Sequence, residues 1–190
     1  MARDYRPPET VRLGPQHEAE LSDFLLKLDR VSRISRFGCA ASDAQLLEHQ
    51  QSAFDTAAWV SGVFVEQRLR GVVELYDLGS NPIVEVELVV EPGWRRRGLG
   101  TAMLQAARRW AAENHRTMIR LVFSNGNWPM RKLAGSAGGQ FDPASDEIVA
   151  DIPVRLARRA AADWFELVGT SRPDAISVDH ISRHAIARKM

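Results

Sequence analysis

The chain has 190 residues, 45% of them hydrophobic and 26% charged, a composition typical of one globular domain. Its formal charge of +1 gives no global field that would draw the protein to nucleic acid or to an anionic membrane. The single cysteine, Cys39, excludes an internal disulfide and a cysteine-based metal cluster. No apolar run approaches the roughly 20 residues of a membrane span, and the N-terminus lacks a signal peptide's apolar core. We therefore expect a cytoplasmic protein.

The first third of the chain predicts one strand and two helices. Residues 9–13 alternate weakly and favour a strand. A helix over about 16–29 is predicted by apolar residues at i, i+3, i+4 and i+7, which are Leu21, Phe24, Leu25 and Leu28. Ser42 and Gln45 have capping-box spacing and predict a second, short helix over about 42–53. The segment V-S-R-I-S-R-F-G-C lies between the two helices and is interpreted as their connection.

The middle of the chain favours strands. Residues 58–65 and 69–78 are rich in β-branched and aromatic side chains, and the polar break at 66–68 predicts an antiparallel hairpin. A second break at 79–82 leads into a short alternating run, Ile83 to Val90, which predicts a third strand. The three strands are expected to follow one another as a meander.

A basic, glycine-containing loop follows that strand and precedes an alanine-rich helix. The loop contains Arg95, Arg96, Arg97, Gly98 and Gly100. Amides at a helix N-terminus are unpaired and carry the positive end of the helix dipole, so glycines there would let a polyanion approach. The order of strand, loop and helix therefore predicts a phosphate-binding segment. It matches neither the dinucleotide fingerprint nor the P-loop pattern.

The rest of the chain predicts three more strands, two helices and a tail. A strand at 117–124 precedes a short helix that Asn127 caps, and two strands follow at Phe141 and at 148–154. A further helix is predicted over 156–168. His180 and His184 have the i, i+4 spacing of metal ligands, but no carboxylate pattern completes a site and a solvated pair is the simpler interpretation.

Two motifs in this order resemble the GNAT superfamily of acetyl-CoA-dependent N-acetyltransferases. The first is R-x-x-G-x-G, Arg95 to Gly100, after a strand that ends V-V-E-P. The second begins at Asn127 and places Met130, Leu133 and Gly138 three, six and eleven residues on. The resemblance covers about residues 9–154, and its pattern is similar to the GNAT modules of bacterial protein-lysine acetyltransferases.

The resemblance implies an α/β (α+β) fold with a central, mixed and mostly antiparallel twisted sheet flanked by helices. It implies a GNAT domain over residues 1–155, with residues 156–190 as a C-terminal helix and tail that packs on the domain or on a partner subunit. A homodimer is one of the open alternatives for the oligomeric state.

The activity that the resemblance implies is transfer of an acetyl group from acetyl-CoA to a primary amine. The loop Arg95, Arg96, Arg97, Gly98, Leu99, Gly100 and Thr101 would hold the pyrophosphate, and Asn127 would contact the pantetheine arm. Backbone N–H groups at Val89 and Val90 would receive the oxyanion. No metal is implied, and neither nucleic acid nor a membrane is expected as a partner.

Two glutamates are the candidates for the base that deprotonates the amine. Strand alternation puts Glu85 and Glu87 on one face of the strand before the loop, although one or both could simply face water. The family resemblance favours Glu85. Many GNAT enzymes place a tyrosine acid where this chain has Ala134, and Tyr76 or water could take its place.

The acceptor is the least defined part of the prediction. Arg36 and Phe37 resemble an R-F element in the wall of the acceptor groove, and the alternative is a solvated Arg36 beside a packed Phe37. Protein lysine is slightly favoured among primary amines. Because the tyrosine is missing, a non-catalytic, acetyl-CoA-binding regulatory or interaction module is the alternative function.

Overall fold

The computed structural model describes residues 8–79, 82–142 and 147–154. Within them, seven strands form a single sheet with the order β1-β2-β3-β4-β5-β7-β6. The strands are β1 Thr10–Arg12, β2 Trp59–Val65, β3 Arg68–Asp77, β4 Ile83–Val90, β5 Met118–Ser124, β6 Gln140–Asp142 and β7 Glu147–Pro153. Only the β4–β5 pairing is parallel; the other neighbours are antiparallel. The predicted mixed, mostly antiparallel sheet is confirmed.

The predicted hairpin and meander are also confirmed, because β2, β3 and β4 pair in sequence order. Glu66 and Gln67 connect β2 to β3 with φ values of 52° and 59°. Two successive left-handed residues are the signature of a two-residue type I′ turn, whose twist matches that of the flanking strands.

The sheet opens between β4 and β5. The two strands pair over only three positions, from Ile83 opposite Met118 to Glu85 opposite Arg120. Beyond that point β4 continues to Val90 and β5 continues to Ser124, without a further pairing between them. From residue 86 to Val90, β4 therefore has one hydrogen-bonding edge that faces a gap in the sheet.

Helices cover both faces of the sheet. They are α1 Glu18–Leu26, α2 Arg30–Phe37, α3 Asp43–Thr56, α4 Leu99–Glu113 and α5 Trp128–Ser136. One apolar cluster joins α4 and α5 to the strands, with Met103 and Ile119 fully buried. A second cluster on the opposite face joins α1 and α3 to β2 and β3, around Leu21 and Leu46.

Helix α2 lies where the sequence was interpreted as a connection. Its first turn is capped by Asp29, whose Oδ1 accepts a hydrogen bond of 2.8 Å from the Ser32 amide. It ends at Gly38, which has φ 72°. A left-handed glycine just past a helix is a common stop, because it carries no Cβ penalty there. Capping residue and terminal glycine were both visible in the sequence, so this helix could have been predicted.

The C-terminal extension, its predicted helix over 156–168 and the pair His180 and His184 lie outside the described residues. The division into a domain at 1–155 and an extension at 156–190 stays a prediction.

Candidate active site

Polar side chains from β3 and β4 share one face of the sheet. Glu74 lies opposite Glu87, and Tyr76 lies opposite Glu85. Because side chains alternate along a strand, all four point to the face that α1, α2 and α3 cover. The predicted common face of Glu85 and Glu87 thus has two more polar members, contributed by β3.

Arg36 reaches this face from α2 and contacts two carboxylates at once. Its Nη2 donates to Glu74 Oε2, and its Nη1 lies against Glu87 Oε2. The Arg36 side chain is only 5% exposed, so the interpretation of a solvated arginine is wrong. Burial works against its charge, but Glu74 and then Glu87 outweigh this effect and raise the pKa of Arg36.

Glu74 is the centre of this network and is itself fully buried. In addition to Arg36, its carboxylate contacts His49 Nε2 at 3.1 Å and accepts a hydrogen bond from the Tyr76 hydroxyl at 2.6 Å. Burial alone would raise the pKa of Glu74, but Arg36, then His49, and the hydrogen bonds from His49 and Tyr76 hold it well below its usual range. Glu74 is therefore an ionised, structural carboxylate.

His49 was missed by the sequence analysis, although a signal for it was present. It lies on the buried face of α3 with Leu46, Gln50 and Ala53, at helical spacing. Its ring meets the edge of Phe37 at 5.2 Å between centroids and 72° between planes. Phe37 also packs on the second apolar cluster, so the expectation of a packed Phe37 is met.

Glu85 differs from Glu74 and Glu87 because its carboxylate accepts no hydrogen bond from any residue that the structure describes. Burial, with help from the charge of Glu87, raises the pKa of Glu85 to about 7, although Arg120 and Arg36 oppose the shift. It is also the last residue of β4 to pair with β5, so it lies where the gap in the sheet begins.

Arg120 lies beside Glu85 on β5 but is held by another carboxylate. Its Nε and Nη2 donate to Oδ1 and Oδ2 of Asp151 on β7, both at 2.8 Å. This bidentate geometry is the strong form of the arginine–carboxylate pair, and the hydrogen bond to Asp151 is the main cause that raises the pKa of Arg120. Arg120 therefore lowers the pKa of Glu85 only through space.

The loop after β4 ends in an open helix N-terminus. Gly98 caps α4 with φ 81°, and it offers no side chain to the first turn. The Ala102 amide donates to Gly98 O at 3.0 Å, which leaves the amides of Leu99, Gly100 and Thr101 as the unpaired end of the helix. A Cβ at Gly100 would make an ordinary van der Waals contact of 3.4 Å with Leu133 Cδ2.

The three arginines of the loop have different surroundings. Arg95 turns back toward the sheet, and donates to Ser32 Oγ at 2.7 Å and to Val90 O at 3.2 Å. The Arg97 guanidinium lies 4.6 Å from the centre of the Trp94 ring. Arg96 has φ 62° and is exposed. The three arginines of the loop therefore differ in the contacts that the structure shows for them.

Backbone direction separates the two predicted oxyanion donors. The Glu91 amide donates to Arg70 O of β3 at 2.9 Å. Because successive N–H groups of a strand point to opposite edges, Val89 also points its N–H toward β3 and Val90 points its N–H away from it. Val90 is thus the member of the pair whose amide faces the gap.

Asn127 joins α5 to α2. Its Oδ1 accepts a hydrogen bond of 3.2 Å from the Met130 amide, and its Nδ2 donates to Ser35 Oγ at 3.0 Å. The first contact confirms the predicted cap of α5. Ala134, where a tyrosine was expected from the resemblance, is fully buried in the first apolar cluster. Its methyl side chain carries no group that could protonate a leaving thiolate.

A comparison with models of protein families matches residues 23–138 to the acetyltransferase (GNAT) family. This chain belongs to the GNAT family. By that membership it is an N-acetyltransferase. A search of curated protein sequences found no match. Among the described residues, the helices are too short or too polar to cross a membrane.

Solved GNAT structures superpose on this chain. The GNAT domain of S. lividans PAT gives a TM-score of 0.66 at 14% identity and covers 76% of this chain and 89% of its own. A phosphinothricin acetyltransferase from Sinorhizobium meliloti in complex with AcCoA gives 0.63 at 12% identity, with 78% and 89% covered. A spermidine N-acetyltransferase from Vibrio cholerae in complex with CoA and spermine gives 0.61 at 16%, with 78% and 96% covered. At these identities the likeness concerns the fold.

The raised pKa of Glu85 predicts a pH-dependent cost to the stability of this GNAT domain. A carboxyl whose pKa rises from 4.5 unfolded to about 7 folded makes the protein less stable as pH increases between these values. Glu85→Gln removes that effect, so above pH 8 it should gain about 1–3 kcal/mol in free energy of unfolding relative to its difference from wild type at pH 4.5. Urea unfolding across pH measures this, with Glu113→Gln as an exposed control. An equal gain at every pH would contradict the assignment.

Proposed function

We propose that this protein transfers an acetyl group from acetyl-CoA to a primary amine, with Glu85 as the general base. The observation that carries the proposal is the position of Glu85. It is a half-buried carboxylate with a raised pKa, without a hydrogen-bond donor among the described residues, at the point where β4 and β5 separate.

The described residues fit acetyl-CoA in two places. The N-terminus of α4 has no side-chain cap, so its amide N–H groups can donate hydrogen bonds to a pyrophosphate, next to the arginine-rich loop. The edge of β4 that faces the gap presents the Val90 amide, and this N–H is the donor that we assign to the thioester oxygen. Acetyl-CoA supplies the activated acetyl group. Solved relatives of the same fold that contain AcCoA or CoA support this assignment.

Glu85 provides the base that must deprotonate the acceptor amine before it can attack the thioester. A lysine-like amine has a pKa of about 10.4 and is almost fully protonated at pH 7, so it has no free lone pair until a base removes a proton. A carboxylate with a pKa of about 7 is half ionised at neutral pH and is a far stronger base than an ordinary glutamate. Glu85 therefore takes the proton from the amine directly or through one water.

The thiolate leaves without a phenol to protonate it. Ala134 is buried, and the hydroxyl of Tyr76 already donates to Glu74. Burial, with the charge of Glu74, also raises the pKa of Tyr76 well above its usual value, which makes this phenol a poor acid. A thiol with a pKa of about 8.5 leaves as a thiolate without large cost, so protonation by water is sufficient.

Binding of acetyl-CoA should depend on the free amides of α4. Thr101→Glu places a carboxylate in the first turn, where it stabilises the helix but repels a phosphate, so affinity should fall by about tenfold or more. Gln105→Glu adds the same charge one turn further along and is the matched control. Isothermal titration at two salt concentrations measures both variants, and wild-type binding should weaken with salt. Equal affinities of Thr101→Glu and wild type would reject this site.

Turnover should depend on the Glu85 carboxylate. Glu85→Gln keeps the shape of the side chain, so acetyl-CoA affinity should stay unchanged while kcat falls by roughly 10²-fold at pH 7. The loss should shrink as pH rises, because more of the amine is already neutral. Steady-state rates between pH 6 and pH 10 test this. Normal turnover of Glu85→Gln together with loss of turnover in Glu87→Gln would move the base to Glu87.

The acceptor class remains a proposal that the family resemblance supports. We favour protein lysine, while the spermidine N-acetyltransferase among the structural relatives is a reason to include polyamines. Mass spectrometry after incubation with lysine-containing proteins, spermidine and an aminoglycoside would compare them, and exclusive acetylation of a small amine would reject the preference. The cytoplasmic location stays a prediction of the sequence, and a homodimer stays one of the open alternatives for the oligomeric state.

A further inference from the structure

On the α2 side of the sheet, hydrogen-bond donors contact two of three glutamates and leave the third without a donor. Three glutamates, Glu74, Glu85 and Glu87, lie on one face of β3 and β4. The donors that reach this face are the Arg36 guanidinium, the Tyr76 hydroxyl and His49 Nε2, and all of them contact Glu74 or Glu87. Glu85 receives none of them among the described residues.

The distribution follows from where Arg36 enters the network. It lies in the last turn of α2, and α2 packs on β4. From there its two terminal nitrogens span Glu74 and Glu87, which lie directly opposite each other on neighbouring strands. Side chains opposite each other on an antiparallel pair have Cβ atoms about 5 Å apart, a distance that one guanidinium fork can bridge. Glu85 lies two residues along β4, and Arg36 forms its ion pairs with Glu74 and Glu87 and not with Glu85.

We propose that Arg36 is the positioning residue that selects the base: it bridges Glu74 and Glu87, so that both carboxylates are engaged by its guanidinium, and it leaves Glu85 without a donor and available to receive the proton. This inference rests on the proposed role of Glu85. It changes the expected role of Arg36 from a residue that contacts the acceptor to one that acts through the glutamates beneath it.

Removal of Arg36 should shift the pH dependence of the reaction. Charged and titratable groups surround Glu85 from every neighbouring element, and these are Glu74 and Tyr76 on β3, Glu87 on β4, Arg120 on β5, Glu147 and Asp151 on β7, Arg36 on α2 and His49 on α3. Of these, Arg36 and Arg120 are the cations that favour ionised Glu85. The acidic limb of the pH profile of kcat/KM follows the ionisation of Glu85. Without Arg36, this limb should move to higher pH by about one unit.

The test compares four proteins by their pH profiles of kcat/KM: wild type, Arg36→Met, Arg36→Lys and Glu87→Gln. Arg36→Met should move the acidic limb up by about one unit, and Arg36→Lys, which keeps the charge, should restore much of the wild-type position. Glu87→Gln removes a neighbouring negative charge and frees Arg36, so its limb should move down by about one unit. A merely structural Arg36 would lower the amount of folded protein and leave the limb unmoved, and that result would overturn the proposal.

These variants distinguish failure of the proposed role of Arg36 from failure of the assignment of Glu85 as the base. Breaking a buried ion pair is strongly destabilising, so Arg36→Met could fail to fold. Glu87→Gln then decides the question, because an unmoved limb in that variant also contradicts the proposal. If Glu85→Gln itself turns over normally, the assignment of the base fails first, whereas a dead Glu85→Gln with an unmoved limb in Arg36→Met and Glu87→Gln rejects only the role of Arg36.

Discussion

The structure depends on the partners that compensate the negative charge of one buried carboxylate, that of Glu74. Glu74 is 1% exposed in the middle of the sheet, and an isolated charge at such a place would be very costly. Three elements supply its partners: Arg36 from α2, His49 from α3 and Tyr76 from β3 itself. The partners of Glu74 therefore connect α2 and α3 to the sheet, in addition to the apolar packing of α3, and they leave fewer donors for the other two glutamates.

The position of α2 has a second consequence, because this helix borders the gap between β4 and β5. Asp29 and Ser32 at its start are connected to Arg95 of the phosphate loop, and Ser35 in its middle is connected to Asn127 of α5. The same short helix thus contacts the loop after β4 and the start of α5, and it also carries Arg36 to the glutamates. The elements that would surround the thioester are held together by hydrogen bonds through α2, and the base is selected by a side chain on that helix.

Much of this arrangement was predictable from local patterns. The alternation of residues 83–90 predicts β4 and places Glu85 and Glu87 on one face, and the glycine loop predicts the open N-terminus of α4. Asn127 is a cap because its side chain and spacing are local features. These predictions succeed because strand alternation, turns and caps are determined by residues a few positions apart.

What the sequence could not predict depends on contacts between distant residues. Arg36 and Glu74 are 38 positions apart, and their contact exists only after α2 has packed on β4. For the same reason strand alternation did not separate Glu85 from Glu87, since nothing local indicates which of them meets an arginine. The choice between Val89 and Val90 likewise follows from the register with β3, which the Glu91–Arg70 hydrogen bond reveals.

Of the three glutamates on this face of the sheet, Glu85 is the one left as a base. A direct measurement is the titration of the glutamate side-chain carboxyl carbons by NMR, with the Glu85 signal assigned from its absence in Glu85→Gln. We expect a midpoint near pH 7 for Glu85 and a Glu74 carboxylate that stays ionised well below pH 4.5. A Glu85 midpoint near the ordinary value of 4.5 would show that this carboxylate is not the base.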